Sequence, residues 1–138
     1  MRLARGETLT IGRLGRERFL RGWYLYVGSA FGPGGVAARC RHHRQVSTRP
    51  RWHVDYLRAV APLRAIWFSH AEVSLEHLWA ARLGGDLALQ LPMPGFGASD
   101  CECTSHLFFA PTCPDMRHFS MQLASDLCGD RSVYCEIV

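Results

Sequence analysis

The sequence predicts an α+β domain: a small antiparallel or mixed sheet of about three to four strands, flanked by helices and followed by a C-terminal helical tail. Three observations carry this expectation. Residues 22–28 alternate, with Trp23, Leu25 and Val27 on one face and Tyr24 and Tyr26 on the other, which is the period of a strand. Stretches of helical spacing follow it, separated by glycine and proline turns. Finally, 138 residues of which 48% are apolar can bury one core, and neither a repeat nor a long linker divides them. Residues 1–110 read as that domain and 111–138 as an extension docked on it.

Taken in order, residues 1–4 and 8–12 are expected to pair across a turn at Arg5-Gly6. The strand at 22–28 opens into a loop of small residues, 28–35, from which a helix over 36–44 emerges. On it Val36, Cys40 and His43 share a face, and Arg39 lies one turn from His42 and His43. Arg49-Pro50-Arg51 makes a turn before a second helix that begins at Trp52 and reaches about residue 60. Residues 63–69 read as a buried strand. Ser74 can cap a third helix that Gly84-Gly85 ends, with Glu76, Ala80 and Leu83 along one side. A loop and extended segment over 87–98 lead through a polar turn, 99–106, to a short strand at 107–109. Met116, Phe119 and Leu123 then fall at helical spacing within 115–127, the docked tail helix.

All sixteen cationic side chains are arginine, and the chain has neither lysine nor asparagine. Chemistry that needs a lysine amine is thereby excluded: a Walker-type phosphate loop, a kinase site, a Schiff base, a Ser/Lys hydrolase. Guanidinium remains, suited to bidentate phosphate contact. The charge is also uneven. Residues 1–58 hold twelve arginines against Glu7, Glu17 and Asp55, a net of +9, and residues 59–138 hold four against nine acids, a net of −5. Either the basic half faces a polyanion or it is a solvated arginine surface.

No apolar run is long enough to span a membrane, and residues 1–7 carry Arg2 and Arg5 with no apolar stretch behind them. The expectation is a soluble, unsecreted, cytoplasmic protein that does not engage a membrane. Six cysteines in that setting should be reduced thiols, so their spacing bears on packing or metal ligation rather than on disulfides. Cys101, Cys103, Cys113, Cys128 and Cys135 lie in the acidic half, Cys40 in the basic one.

The strongest chemical signal is the succession Tyr24-Leu25-Tyr26-Val27-Gly28-Ser29, then Arg39, then His42-His43, then a helical Glu76. A phosphodiester hydrolase needs a metal ligand, a cation for the charge that develops on the phosphate, and a phenol or imidazole to handle protons. Each of these is present, though such a collection also arises by chance.

Longer motifs sharpen it. Gly22-x-Tyr24-x-Tyr26-Val27-Gly28-Ser29-Ala30, Gly32-Pro33-Gly34-Gly35, Arg39 with His43, Trp52-His53-Val54-Asp55-Tyr56-Leu57, and Gly95-Phe96-Gly97-Ala98-Ser99-Asp100-Cys101-x-Cys103-x-Ser105-His106-Leu107-Phe108 occur in an order that resembles the GIY-YIG nuclease superfamily, in its small Uri-type endonuclease-like branch. The resemblance covers roughly residues 1–109 and leaves the tail outside. It implies a small antiparallel sheet flanked by helices and cleavage of DNA phosphodiesters with one Mg²⁺ or Mn²⁺ ion. Tyr26 then matches the tyrosine of the second half of the superfamily's name, Arg39 the phosphate-binding arginine, His43 the helix histidine and Glu76 the metal-binding glutamate. Ser29, Arg41, Arg44 and Arg51 are the candidate nucleic-acid contacts, with branched or damaged duplex as the substrate; relatives fused to base-excision repair glycosylase domains suggest repair by analogy alone.

One departure stands out. The superfamily's first tyrosine lies on a strand before the counterpart of residues 1–4, and this chain starts past it. Three readings follow: a truncated start, a nucleic-acid-binding module of impaired catalysis, or partial substitution by Tyr24 on the face of Tyr26.

Asp100, Cys101, Cys103 and His106 form a compact set of soft-ligand character that His53 and Asp55 could approach, and Zn²⁺ is the ion it suggests. Cys-x-Cys is tighter than the usual spacing of structural zinc pairs, and the competing reading is a buried turn in which the thiols pack as small apolar groups. His70-Ala71-Glu72 followed by these cysteines has half of a zinc deaminase signature, and the other half fails, because the cysteines are one residue apart and follow Asp100 rather than proline.

Overall fold

A computed structural model describes residues 1–124 and 133–138. The chain runs β1 (Arg2–Leu3), β2 (Glu7–Ile11), a 3-10 turn (Gly12–Leu14), β3 (Gly15–Phe19), β4 (Gly22–Tyr26), α1 (Gly35–Arg44), α2 (His53–Arg58), β5 (Ala65–Phe68), α3 (Glu76–Gly85), β6 (Leu107–Ala110), α4 (Met116–Ala124) and β7 (Tyr134–Ile137). It is the α+β architecture the pattern predicts. β4 is the middle strand of a three-stranded antiparallel sheet, with β1 on one side and β6 on the other. Two further antiparallel pairs, β2 with β3 and β5 with β7, flank it.

Strand alternation divides the interior into two layers. Tyr24 and Tyr26 of β4 share a face with their partners Phe109 and Leu107 of β6. That face packs on Phe19, Ile11, Phe96, Val54 and Leu57, drawn from the β2–β3 hairpin, the loop before β6 and α2. Leu25 and Val27 point the other way with Phe108, toward Ala80 and Leu83 of α3 and Phe119 of α4. Phe119 also stacks on Trp67 of β5, so the tail helix completes the second layer.

The helices have local causes. Arg41, His42, His43 and Arg44 fill the last turn of α1, where cationic or polar donors face the carbonyl end of the helix dipole. α2 is only six residues long, too short to persist alone, and is held from both ends. At its start the Asp55 carboxylate accepts from the backbone N–H groups of Arg51 (2.9 Å) and Trp52 (3.0 Å). At its end the buried Arg58 guanidinium donates to the carbonyls of His43 (3.1 Å) and Ala61 (2.9 Å), joining α2 to the last turn of α1.

The structure corrects several sequence expectations. Residues 1–4 and 8–12 do not pair: β1 lies on β4, and β2 turns back on β3 in the register Glu7↔Phe19 to Ile11↔Gly15. Gly12 and Gly15 make that reversal, at φ +46° and +92°. The strand at 63–69 contracts to Ala65–Phe68 and is half-buried, because its partner β7 is exposed along its whole length. α3 begins at Glu76, with Leu75 at the N-cap position and no side-chain cap bond, and runs on through Gly85. The tail helix is described as Met116–Ala124, and the rest of its expected span lies outside the described residues, as does Cys128. No helix among the described residues is long and apolar enough to cross a membrane.

Leu57 is fully buried where α2 meets the first layer. Leu57→Ala is expected to lower unfolding stability by about 2–5 kcal/mol, read as a shifted urea midpoint at unchanged m-value. An unchanged midpoint would mean that α2 does not belong to the core.

Candidate functional site

β4 ends at Tyr26, and the segment after it passes close to α1. A Cβ placed on Gly28 would sit 3.2 Å from an Arg39 guanidinium nitrogen and 3.2 Å from the Tyr26 ring. His43, one turn beyond Arg39, meets the same tyrosine edge-on, with ring centroids 6.0 Å apart. Tyr26, Gly28, Ser29, Arg39, His43 and, from the first turn of α3, Glu76 all line one open cleft of about 660 Å³. Four residue types from three stretches of sequence, β4, α1 and α3, therefore converge on a single concavity.

Each is prepared by its surroundings. The Arg39 guanidinium lies over the Trp52 ring, 4.4 Å from its centroid, a cation–π arrangement that fixes the charge without neutralising it. Its Nε is buried without a hydrogen-bond partner among the described residues. Trp52 is held by an edge contact with His42, ring centroids 4.4 Å apart, and His42 Nε2 is 3.3 Å from Asp55 Oδ1. Burial pushes the Tyr26 phenol up to about 12 against the opposing pull of Arg39, so it stays protonated at neutral pH. Burial, reinforced by Arg39 and His42, brings His43 down to about 4 and leaves its imidazole neutral. Burial works against the Asp55 carboxylate, but the amides of Arg51 and Trp52 and the neighbouring His42 hold it below the usual carboxylate range.

Tyr24 borders the same cleft but does not offer its phenol there. It is 2% exposed between Phe19 and Phe109, and its hydroxyl donates to the Leu20 carbonyl at 2.7 Å, which makes it a core residue rather than a second site phenol. Among the expected nucleic-acid contacts, Arg41 and Arg51 are exposed, Arg44 is paired with Glu136 of β7, and the Ser29 hydroxyl accepts from the Phe31 N–H.

A second constellation adjoins the cleft through Glu76. One ligand atom each from His77, Cys101, Cys103 and His106 lie within 4.8 Å of one another, an arrangement that could hold a metal ion. His106 is 1% exposed; its Nε2 faces Cys101 Sγ at 3.4 Å, and its Nδ1 lies 3.3 Å from Glu76 Oε1, though not aligned as a hydrogen bond. Burial raises the Cys103 thiol pKa, with the Cys101 thiol beside it acting in the same direction. Asp100, expected among these donors, is exposed and outside the group. His53 and Asp55 are engaged elsewhere: His53 Nδ1 accepts from the Gly97 N–H at 2.9 Å, and Asp55 caps α2. The five described cysteines are free thiols.

One family profile spans almost all of this architecture, covering residues 1–128: domain of unknown function DUF123. The chain belongs to that family. The DUF123 match runs past the sheet into the tail. No curated protein and no solved structure is a match for the chain.

Two site residues of this DUF123 domain escape sequence reasoning. His77 directly follows Glu76 and is 24 positions from Cys101, a separation with no metal-motif signature. Trp52, the platform for Arg39, is brought there by α2 packing on α1, which no local periodicity encodes.

The pKa of His43 gives the domain an acid sensitivity. An imidazole with its folded value near 4 and an unfolded value near 6.5 takes up a proton on unfolding anywhere between them. Stability should therefore fall as pH drops from about 6.5 to 4, by at most about 3 kcal/mol from this residue. His43→Gln should flatten that part of a stability–pH curve measured by urea titration; an unchanged slope would place the titration elsewhere.

Proposed function

We propose that this DUF123 domain acts on DNA and hydrolyses phosphodiester bonds in the cleft beside Tyr26, with one Mg²⁺ or Mn²⁺ ion as cofactor. The observation that carries the reading is the meeting of Glu76, from α3, with Tyr26, Arg39 and His43 in one concavity. The motif order that resembles the GIY-YIG superfamily supports it, since these are the residues that the resemblance picks out.

The residues fit the ion as a hard-oxygen site. Glu76 offers a carboxylate at the cleft wall, and Mg²⁺ commonly takes one or two carboxylates together with substrate phosphate oxygens and waters. When bound there, such an ion supplies Lewis-acid stabilisation of the charge that develops on phosphorus oxygens. The chain's own groups do the rest. Arg39, a permanent cation whose Nε has no partner among the described residues, binds and orients the phosphate through charge-assisted hydrogen bonds. Neutral His43 can accept a proton from water, and the phenol of Tyr26 can donate a hydrogen bond to a phosphate oxygen or leaving group. Arg41 and Arg51, exposed beside the cleft helices, extend the attraction for the DNA backbone.

The placement of Tyr24 favours a second reading, binding without cleavage, because its phenol is committed to the core and supplies no second proton-handling hydroxyl. Incubation with supercoiled plasmid and branched DNA in Mn²⁺ separates the two. Hydrolysis predicts nicking that Glu76→Ala and Arg39→Ala each reduce by about 100-fold or more. Salt-sensitive binding with no nicking by the wild-type chain would favour the second reading, and nicking undiminished in Glu76→Ala would remove the metal role.

A further inference from the structure

The geometry points to a tetrahedral Zn²⁺ site made by His77, Cys101, Cys103 and His106, in which Glu76 is the carboxylate that orients the His106 ring. The site itself stands independently of the phosphodiesterase reading; its consequence for Glu76 rests on that reading.

Donor chemistry selects the ion. Two thiols and two imidazoles are the soft and borderline ligands that prefer Zn²⁺ over Mg²⁺ or Mn²⁺. Distances select the geometry. With zinc–sulfur bonds of about 2.3 Å and zinc–nitrogen bonds of about 2.0–2.1 Å, the edges of a tetrahedron are about 3.3–3.8 Å. Cys101 Sγ and His106 Nε2 are already 3.4 Å apart, and the whole set lies within 4.8 Å, so the outlying donors close by about 1 Å. His77 is exposed at the start of α3, and its ring centroid is 6.1 Å from that of His106, so it is free to make this adjustment.

Cys-x-Cys spacing, short for a regular zinc knuckle, is workable here because both cysteines lie in irregular chain between the Gly95–Gly97 turn and β6. There, residues two apart need not point to opposite sides as they would on a strand. An ion held by this turn and by α3 would staple the loop to the helix above the second core layer, against which Cys103 already packs.

The contact with Glu76 is the independent observation. A metal-ligating histidine characteristically gives its other ring N–H to a carboxylate or carbonyl. His106 turns Nε2 to Cys101 and leaves Nδ1 buried, without a hydrogen bond, 3.3 Å from Glu76 Oε1. Coordination through Nε2 places the remaining ring proton on Nδ1, and a small ring rotation makes it a donor to Glu76. The two thiols release their protons to solvent on binding, and no oxidant or other reactant is needed. One oxygen of Glu76 is then held by the zinc site while the other stays available at the cleft, so the bound ion fixes the residue assigned to the Mg²⁺ or Mn²⁺ ligand.

The test uses the full chain purified under reducing conditions, with elemental analysis for zinc and optical spectra after Co²⁺ replacement. The expected result is one zinc per chain, tetrahedral d–d bands in the visible, and a thiolate-to-cobalt charge-transfer band. His77→Ala, exposed and tolerable to the fold, and Cys103→Ser should each reduce zinc content to a small fraction at unchanged far-ultraviolet circular dichroism. Cys113→Ser, at an exposed cysteine outside the group, should keep it. Glu76→Gln should retain the ion but yield it to a chelator about 10-fold more readily, the lower end of what loss of an outer partner costs. Zinc below about a tenth of an equivalent, or full retention in His77→Ala and Cys103→Ser, overturns the site; equal chelator resistance in Glu76→Gln overturns its coupling to Glu76. None of these readouts involves DNA, so loss of the zinc proposal and loss of the phosphodiesterase reading are separate outcomes.

Discussion

The site depends on how closely the backbone of the Gly95–Gly97 turn can approach two side chains. A Cβ on Gly97 would lie 2.9 Å from the Tyr26 ring and 3.0 Å from the Cβ of His106, and the residue sits at φ +75°, where side chains are strained. The turn is also tied on every side. Gly95 N–H donates to the Thr104 carbonyl, His106 N–H to the Phe96 carbonyl at 2.7 Å, and Gly97 N–H to His53 of α2. Phe96 between them is fully buried against Tyr26 and His53. One backbone feature thus presses Tyr26 toward the cleft on one side and positions His106 for Glu76 and the cysteines on the other.

The second constraint is electrostatic. In a chain whose cations are all arginine, Arg39 is placed beside the Tyr26 phenol, and it is held there by an aromatic face. An ion pair would have cancelled the charge that a phosphate is to meet; a cation–π contact leaves it available. Asp55 supports this arrangement at one remove. It caps α2 and faces His42, which braces Trp52, so this acid beside the basic helix serves the platform and not the guanidinium.

How much of this the amino-acid order revealed follows from where the determining contacts lie. β4 was legible because it has core on both faces and its alternation of tyrosine with aliphatic residues separates the two layers directly. β3 was hidden because Arg16, Glu17 and Arg18 mask the period, and β7 because its whole length is exposed. β1 was assigned the wrong partner: two residues carry no register signal, and only the packing of Leu3 in the first layer decides that it lies on β4. In the site, Tyr26, Arg39, His43 and Glu76 could be named from motif order, while their convergence, the Trp52 platform and the addition of His77 to the cysteines come from tertiary packing that spacing does not encode. Tyr24 was legible as a face-mate of Tyr26 but not as a core residue, since its bond to the Leu20 carbonyl depends on the tight return between β3 and β4.

If one turn positions both constellations, disturbing it should disturb both together. Gly97→Ala, compared with Gly85→Ala, where a Cβ meets nothing within 4 Å, tests this in a single preparation by measuring zinc content and DNA affinity side by side. Gly97→Ala is expected to lower both while circular dichroism remains that of the wild type, and Gly85→Ala to leave both unchanged. Retention of wild-type zinc content and DNA affinity in Gly97→Ala would contradict it.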